Sequence, residues 1–265
     1  MVHSPTLTVM ISAARKAARA LVRDFGEVEQ LQVSLKGPSD FVTNADMKAE
    51  KTLIHELLHA RPDYGVIAEE SGVTHGVDTR HYWIIDPLDG TLNFMHGIPH
   101  FAISIGLVRA GEVVAGLVYN PVSDDMYVAE KGQGAFHNSR RMRVSGRRDM
   151  HEAMLATGIP YHARPGHDRF LQEMAALMPA VAGIRRLGSA ALDLAFVAAG
   201  KFDGFWESHL KPWDIAAGIL LVREAGGFVT EINGGDKMLE SGNVLAANAH
   251  LHAAIATLLP PITAG

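Results

Sequence analysis

One short segment restricts the fold and the chemistry of this chain more than any other. It reads Trp83-Ile84-Ile85-Asp86-Pro87-Leu88-Asp89-Gly90-Thr91. Its apolar residues predict a buried strand whose carboxyl end carries Asp86, and Pro87 predicts a turn that brings Asp89 back to the same place. Two carboxylates across a rigid turn suit a hard divalent cation, which prefers oxygen ligands. The carbonyl of Leu88, between them, is a further neutral oxygen.

Gly90 and Thr91 follow immediately and predict the start of a short helix. The backbone N–H groups at a helix start attract phosphate, so the segment predicts a cation site and a phosphate site side by side. Aspartate, proline and glycine are also common in ordinary turns. The segment taken alone therefore fits a plain strand followed by a turn about equally well.

Two other acidic segments favour the metal site. Glu69 and Glu70 follow an apolar strand that we predict over 64–68, although adjacent side chains need not face the same way. Asp214 begins an apolar helix, where an N-cap aspartate is the simpler explanation. Taken together with the first segment, both favour a metal site over a turn.

The composition is that of a folded globular chain. Of 265 residues, 48% are hydrophobic and 20% are charged, and the net charge of −5 gives no general attraction to nucleic acid or anionic membranes. The lack of cysteine excludes disulfides, thiolate metal sites and a cysteine nucleophile. Basic residues between apolar ones over 7–23 predict an amphipathic helix rather than a signal peptide, with a mitochondrial presequence as the alternative. We expect a cytoplasmic protein without membrane association.

Hydrophobic periodicity predicts mixed α and β structure. The predicted strands are 64–68, 81–85, an antiparallel meander over 101–108, 113–119 and 126–129, and then 153–157, 183–186, 202–206, 228–231 and 244–247. The predicted helices are the N-terminal one, 46–59, 168–178, 190–199, 213–225 and one from 249. We expect a single unit over 1–265, with possible sub-lobes over 1–148 and 149–265.

Three motifs, taken in order, resemble those of the inositol monophosphatases. They are Glu69-Glu70-Ser71, the segment from Trp83 to Phe94, and Trp213-Asp214-x-Ala216-Ala217-Gly218. The resemblance runs from Asp40 to Gly227, nearly the whole chain. Leu210-Lys211-Pro212-Trp213 and Gly188-Ser189-Ala190-Ala191 resemble the bacterial branch associated with an extragenic suppressor activity. The family implies an α+β fold, a layered α-β-α-β-α sandwich, usually as a homodimer with two to three Mg²⁺ ions per subunit.

The resemblance also implies a role for each matching residue. The implied metal ligands are Glu69, Asp86, the Leu88 carbonyl, Asp89 and Asp214. The implied catalytic residues are Thr91, Asp46 and Glu69, of which Thr91 and Asp46 would orient and deprotonate the attacking water. The implied substrate contacts are Asp89, Gly90, Thr91, Gly188, Ser189, Ala190, Glu207 and Asp214. Lys36 matches a lysine on the family's mobile metal-site loop. Without cations, the carboxylates of this metal site would repel one another.

Arg185 and Arg186 precede the glycine of the second substrate segment. Side chains alternate along a strand, so only one of the two points inward, where it would reach a substrate anion or form a salt bridge. We assign Arg185 as the substrate contact.

The resemblance implies Mg²⁺-dependent hydrolysis of a phosphate monoester by direct attack of a metal-activated water, with lithium sensitivity. myo-Inositol 1-phosphate is the first choice of substrate. Histidinol phosphate and other sugar or polyol phosphates are alternatives. A role of another class, as a non-catalytic partner of the transcription machinery, also stays open, although the intact acidic cluster favours catalysis.

Overall fold

The computed structural model describes residues 3–27, 33–37, 40–161 and 165–261, with the backbone alone over 33–37 and 40–42. The helices in these ranges are α1 (Pro5–Phe25), α2 (Asn44–Ala60), α3 (Thr91–Met95), α4 (His167–Leu177), α5 (Ala190–Ala198), α6 (Pro212–Glu224), α7 (Met238–Ser241) and α8 (Ala249–Leu258). A short 3₁₀ helix spans Met150–Glu152. None of the helices in the described ranges is long and apolar enough to cross a bilayer.

The strands form two large sheets and one hairpin. The hairpin pairs β1 (Val33–Gly37) with β2 (Asp40–Thr43). The larger sheet contains β3 (Tyr64–Ala68), β4 (Gly72–Thr74), β5 (Asp78–Asp89), β6 (Ala102–Arg109), β7 (Glu112–Asn120), β8 (Asp125–Glu130), β9 (Gly134–His137) and β10 (Arg140–Arg141). The smaller sheet contains β11 (Met154–Thr157), β12 (Gly183–Arg185), β13 (Gly204–Glu207), β14 (Phe228–Thr230) and β15 (Val244–Ala247).

Strand order confirms the predicted meander. In the larger sheet the order is β10-β9-β8-β7-β6-β5-β3-β4, and β6, β7 and β8 pair antiparallel in sequence. The parallel pair in that sheet is β3 with β5. The smaller sheet has the order β12-β11-β13-β15-β14, with β11 parallel to both of its neighbours. The carboxyl ends of β3 and β5, which carry the predicted acidic residues, therefore lie side by side.

Helices cover the sheets in alternating layers. α1 and α2 pack together on one face of the larger sheet, and their buried side chains include Met10 and Leu53. α5 and α6 fill the space between the two sheets. α8 packs on the outer face of the smaller sheet beside α4, where Leu177 and Ile255 are buried. The predicted α+β sandwich, layered α-β-α-β-α, is confirmed.

The start of α2 differs from the prediction for a reason that bears on function. The helix begins at Asn44, two residues before the predicted start, because Thr43 caps it. Oδ2 of Asp46 accepts a hydrogen bond from the backbone N–H of Thr43 at 2.9 Å and another from its hydroxyl. This is a capping box, in which the third helical residue bonds back to the cap. Asp46 is therefore buried and oriented within the first turn of the helix.

The position of α6 depends on a glycine in the larger sheet. A Cβ atom at Gly116 of β7 would lie 2.9 Å from the carbonyl oxygen of Ala217, closer than side chains pack. Ser104 of β6 donates a hydrogen bond to the carbonyl of Trp213 at 3.0 Å and holds the start of the helix. Because Ser104 pairs with Asp86 in the sheet, this contact brings the beginning of α6 next to the end of β5.

Some elements were not predicted, among them β4, β9, β10 and α7. The single unit over 1–265 stays a prediction. The larger sheet precedes residue 148 and the smaller sheet follows it, with α5 and α6 packed between them. The side chain of Lys36 lies outside the described part of the chain.

Candidate active site

The strand that carries Asp86 does not end there. β5 continues to Asp89, and its pairing with β6 shifts register between these two aspartates, so a bulge replaces the predicted turn. Proline lacks an N–H and is tolerated where ladder pairing is interrupted, which suits Pro87 to this place. Oδ1 of Asp86 accepts a hydrogen bond from the N–H of Leu88 at 2.8 Å. The bulge is thereby fixed by the carboxylate that it presents.

Three aspartates from distant parts of the chain meet at this bulge. One carboxylate oxygen from each of Asp86, Asp89 and Asp214 lies within 4.8 Å of the others. Oδ2 of Asp89 accepts hydrogen bonds from the Ser189 hydroxyl and from the N–H of Ala191, both at 2.7 Å. Each carboxylate has two oxygens, so one oxygen is oriented by the protein while the second stays available to a cation.

Asp214 does not occupy the N-cap position, which is the simpler explanation for an aspartate at the start of a helix. Lys211 is the cap residue of α6, and Asp214 is the third helical residue. Its Oδ2 accepts a hydrogen bond from the backbone N–H of Lys211 at 2.7 Å. The carboxylate is consequently held against the start of α6, on the side that faces the end of β5.

The pKa values of all three carboxylates are raised above the ordinary aspartate value. Burial is the largest cause in each case, and it raises the pKa of Asp86 and Asp214 well above the ordinary value. Among the neighbouring charges, that of Glu69 is the largest contribution to the raised pKa of Asp86, and that of Asp89 is the largest at Asp214. Burial raises the pKa of Asp89 to about 6, opposed by its hydrogen bond from Ser189. Such a cluster of like charges is favourable only when cations or protons neutralise it.

Glu69 follows β3 and lines the same cavity. The turn that carries it is held by a residue that sequence reasoning missed. Glu50 of α2 is buried, and its two oxygens accept hydrogen bonds from the N–H groups of Glu70 at 2.8 Å and Ser71 at 2.9 Å. A buried glutamate on a helix gives no such signal in the sequence, because its partners are backbone groups 20 and 21 residues later.

The Thr91 hydroxyl lies between two acceptors. Its oxygen is 3.2 Å from Oδ1 of Asp46 and 3.0 Å from the carbonyl oxygen of Leu88. A hydroxyl has one hydrogen to donate and two lone pairs that accept. Burial raises the pKa of Asp46, against the lowering effect of its hydrogen bonds from Thr43 and Thr91. The predicted pairing of Thr91 with Asp46 is present in the structure.

The segment from Gly188 to Ala190 forms a second wall of the cavity. It is tied to the first by Asn93, another residue without a predicted role. The side-chain amide of Asn93 donates hydrogen bonds to the carbonyl oxygens of His100 and Leu187, both at 2.8 Å. Asn93 follows the metal segment and Leu187 precedes Gly188, so a single amide group fixes the two walls relative to each other.

Glu207 is the last residue of β13 and lines the same cavity. A side chain at Gly158 would collide with its carboxylate, so that glycine leaves the space that Glu207 occupies. Arg186 lines the cavity, whereas the guanidinium of Arg185 is exposed and donates a hydrogen bond to the carbonyl of Ile184. The cavity lining thus includes Arg186 and not the assigned Arg185, because β12 ends at Arg185 and Arg186 lies in the loop that leads to Gly188.

The cavity that these residues line has a volume of about 400 Å³. It contains Glu69, Asp86, Leu88, Asp89, Gly90, Thr91, Gly188, Ser189, Ala190, Glu207 and Asp214. Asp46 is buried behind Thr91. The cavity extends beyond the predicted site to Thr157, Tyr161, Phe170 and His209. It therefore holds a cluster of carboxylates that could bind a cation, and it has room for an organic group beside them.

Comparison with known proteins agrees with this geometry. The model of the inositol monophosphatase family matches residues 3–264. A protein of Mesorhizobium japonicum named inositol-1-monophosphatase is 55% identical over 96% of both chains. A protein of Escherichia coli named Nus factor SuhB is 43% identical, covering 92% of this chain and 91% of its own.

A crystal structure of extragenic suppressor protein SuhB from Bartonella henselae is 53% identical. It superposes with a TM-score of 0.95 over 98% of this chain and 100% of its own. Sequence, fold and the arrangement of acidic groups thus lead to the same assignment. The chain belongs to the inositol monophosphatase family.

Proposed function

We propose that this chain hydrolyses the phosphate monoester of a polyol, with Mg²⁺ as cofactor and myo-inositol 1-phosphate as its first substrate. Its family membership makes it a phosphoric monoester hydrolase. The observation that carries the finer proposal is the meeting of Asp86, Asp89 and Asp214 within 4.8 Å at one end of the cavity.

The residues present fit Mg²⁺. All of the candidate donors are oxygens, which this hard cation prefers, and a bound cation would relieve the repulsion that raises the pKa of Asp86 and Asp214. Glu69, Asp86, the Leu88 carbonyl, Asp89 and Asp214 would hold two ions, and Glu69 would assist a third. Bound Mg²⁺ would neutralise the phosphate, activate the attacking water and stabilise the leaving alkoxide.

The chain itself orients the water. When the Thr91 hydroxyl donates its hydrogen to Asp46, its lone pairs accept a hydrogen from the attacking water. Asp46 is held rigidly by Thr43, and its raised pKa makes it a better proton acceptor than an exposed aspartate. Gly90 and Thr91 line the cavity beside the aspartates, where the phosphate group of the substrate would lie.

The rest of the cavity supports a polyol leaving group. Glu207 and Arg186 both line the cavity. The Glu207 carboxylate would accept a hydrogen bond from a ring hydroxyl, and Arg186, rather than Arg185, would contact a substrate anion. Histidinol phosphate is the alternative, because its ammonium group would also pair with Glu207. Assays of the purified protein with inositol 1-phosphate, histidinol phosphate and an aryl phosphate, with and without Mg²⁺, test the proposal. Absence of Mg²⁺-dependent hydrolysis of inositol 1-phosphate would reject it.

Three further features are proposed from the resemblance alone: a homodimer, a cytoplasmic location and inhibition by Li⁺. Li⁺ is small and hard, so it would occupy a Mg²⁺ position with half the charge. If it traps product phosphate, inhibition will be uncompetitive with substrate. Relief of inhibition by added substrate would contradict this.

A second candidate role is that of a non-catalytic partner of the transcription machinery. It is favoured by the relatives named Nus factor SuhB, which are 42–44% identical over 92% of this chain. The two roles are separable with an inactive variant such as Asp89→Asn. Co-elution of this variant with purified bacterial RNA polymerase in gel filtration supports the second role, and separate elution of both proteins argues against it.

A further inference from the structure

Asp193 is a buried acidic residue that the proposed mechanism does not use. It lies in the first turn of α5, is 1% exposed and lines the cavity. Its Oδ1 is buried and has no hydrogen-bond partner in the described part of the chain. Proteins satisfy nearly all of their buried polar atoms, so an unpartnered carboxylate oxygen in a cavity wall indicates a partner from outside the chain.

Another buried aspartate of this protein shows what a structural role looks like. Asp203 is 2% exposed and lies outside the cavity lining. It accepts hydrogen bonds from the backbone N–H of Met154 at 2.8 Å and from Arg147 at 3.1 Å. Both of its oxygens are satisfied by the fold. Asp193 is buried without such partners among the described residues. Burying an unpartnered carboxylate costs free energy, so we look for a function that explains it.

Asp193 and Glu207 line the same cavity, close enough for their charges to interact. The charges of Glu207 and Asp89 act on Asp193 after burial itself to raise its pKa, and Arg186 opposes them. Ser208, next to Glu207, also lines the cavity, and its hydroxyl oxygen is buried without a partner among the described residues. Two polar groups without a partner among the described residues thus line the same cavity as Glu207.

We propose that Asp193 accepts a hydrogen bond from a second hydroxyl of the leaving group, beside the hydroxyl that Glu207 contacts. The substrate class is therefore the phosphate esters of alcohols that carry several hydroxyls. A substrate with a single hydroxyl leaves the Asp193 oxygen without a partner in the complex, which weakens its binding relative to a polyol. This inference rests on the proposed function and adds a specificity-determining residue to it.

The test compares two substitutions at Asp193 with the same two at Asp203. Asp193→Ala removes the acceptor, and Asp193→Asn keeps an acceptor oxygen of the same shape. For each variant, kcat/KM is measured with inositol 1-phosphate and with 4-nitrophenyl phosphate at saturating Mg²⁺, and Tm is measured without substrate.

The measure is kcat/KM for inositol 1-phosphate divided by kcat/KM for 4-nitrophenyl phosphate. We expect Asp193→Ala to lower this ratio by roughly tenfold or more, and Asp193→Asn to keep much of the wild-type ratio. The Tm of Asp193→Ala should equal or exceed that of the wild type, because the substitution removes an unsatisfied buried group. Asp203→Ala should lower Tm by at least about 2 °C without changing the ratio.

An unchanged ratio in Asp193→Ala, or an equal loss on both substrates together with a lowered Tm, would overturn the inference and leave the proposed function standing. A wild-type enzyme that hydrolyses the aryl phosphate but not inositol 1-phosphate would overturn the polyol proposal and this inference together.

Discussion

The hydroxyl oxygen of Thr91 lies 3.2 Å from Oδ1 of Asp46, a residue 45 positions earlier in the chain. Asp46 also closes the capping box of α2, so one carboxylate both starts a helix and orients a hydroxyl in the cavity. The two oxygens of Asp46 are divided between these tasks. A substitution at Thr91 should therefore affect catalysis without removing the hydrogen bonds that stabilise the start of α2.

Thr91→Ala should lower kcat by far more than it raises KM, because the hydroxyl orients the water and matters chiefly in the transition state. Thr91→Ser keeps the hydroxyl and should retain substantial activity. Steady-state kinetics with both variants checks this prediction. Thr91 would be only a binding residue if Thr91→Ala kept the wild-type kcat and raised KM alone.

Asp214→Asn should abolish Mg²⁺-dependent turnover while the fold is retained, because one of the clustered carboxylates loses its charge. Asp236→Asn, an exposed aspartate outside the cavity lining, is the matched control and should keep wild-type activity. Activity titrations against Mg²⁺ and circular dichroism are the measurements. Near-normal turnover of Asp214→Asn at saturating Mg²⁺ would remove this residue from the metal site.

Asp89→Asn should stabilise the metal-free protein at pH 7.5. Its pKa of about 6 in the folded state exceeds the ordinary 3.8, so the folded protein binds this proton more tightly than the unfolded chain does. A raised carboxyl pKa destabilises the folded state above pH 6, by on the order of 1–3 kcal/mol for this shift, and the penalty disappears as the pH falls towards 4.

Thermal unfolding in EDTA tests whether Asp89→Asn stabilises or destabilises the metal-free protein. The variant should have the higher Tm at pH 7.5, and the difference should shrink between pH 6 and pH 4. Addition of Mg²⁺ at pH 7.5 should raise the Tm of the wild type more than that of the variant. A lower metal-free Tm for Asp89→Asn at pH 7.5 would show that its hydrogen bonds to Ser189 and Ala191 outweigh the repulsion.

Glu207→Gln keeps the shape of the side chain and removes its charge. A hydrogen bond to a charged group contributes about 1.5–3 kcal/mol, so kcat/KM for inositol 1-phosphate should fall by roughly one to two orders of magnitude. Hydrolysis of 4-nitrophenyl phosphate should fall much less. Equal losses on both substrates would mean that Glu207 supports the metal site or the fold. If the wild type preferred histidinol phosphate, the leaving group of the proposed substrate would be an amino alcohol instead of inositol.

Glu50→Gln tests how the Glu69 turn is held. The substitution turns one of the two acceptor oxygens for Glu70 and Ser71 into a donor, so one of these two N–H groups would lose its acceptor. We expect the Mg²⁺ concentration for half-maximal activity to rise several-fold, with a small loss of Tm. An unchanged Mg²⁺ dependence together with a lowered Tm would restrict Glu50 to a structural role.

The sequence predicted the acidic end of the site well because short motifs fix local geometry. Asp86, Asp89 and Thr91 lie within six residues, and the bulge that replaces the predicted turn leaves them at the same place. Glu50, Asn93 and Asp193 were not predicted. Their partners are backbone groups or cavity space contributed by distant elements, and a single sequence does not show which segments meet. The strand pattern did not show that β12 ends at Arg185, which leaves Arg186 in the following loop and in the cavity lining.

Gly116 contributes no atom to the cavity, yet one added methyl group there would press on the backbone of Ala217, three residues beyond Asp214. A screen of random substitutions for inactive protein should therefore recover changes at Gly116 beside changes at the aspartates. Such variants would keep every residue of the catalytic motifs intact, so motif matching would classify them as active. To predict whether a genetic variant of this chain is active, the spacing between α6 and the larger sheet has to be considered together with the motif residues.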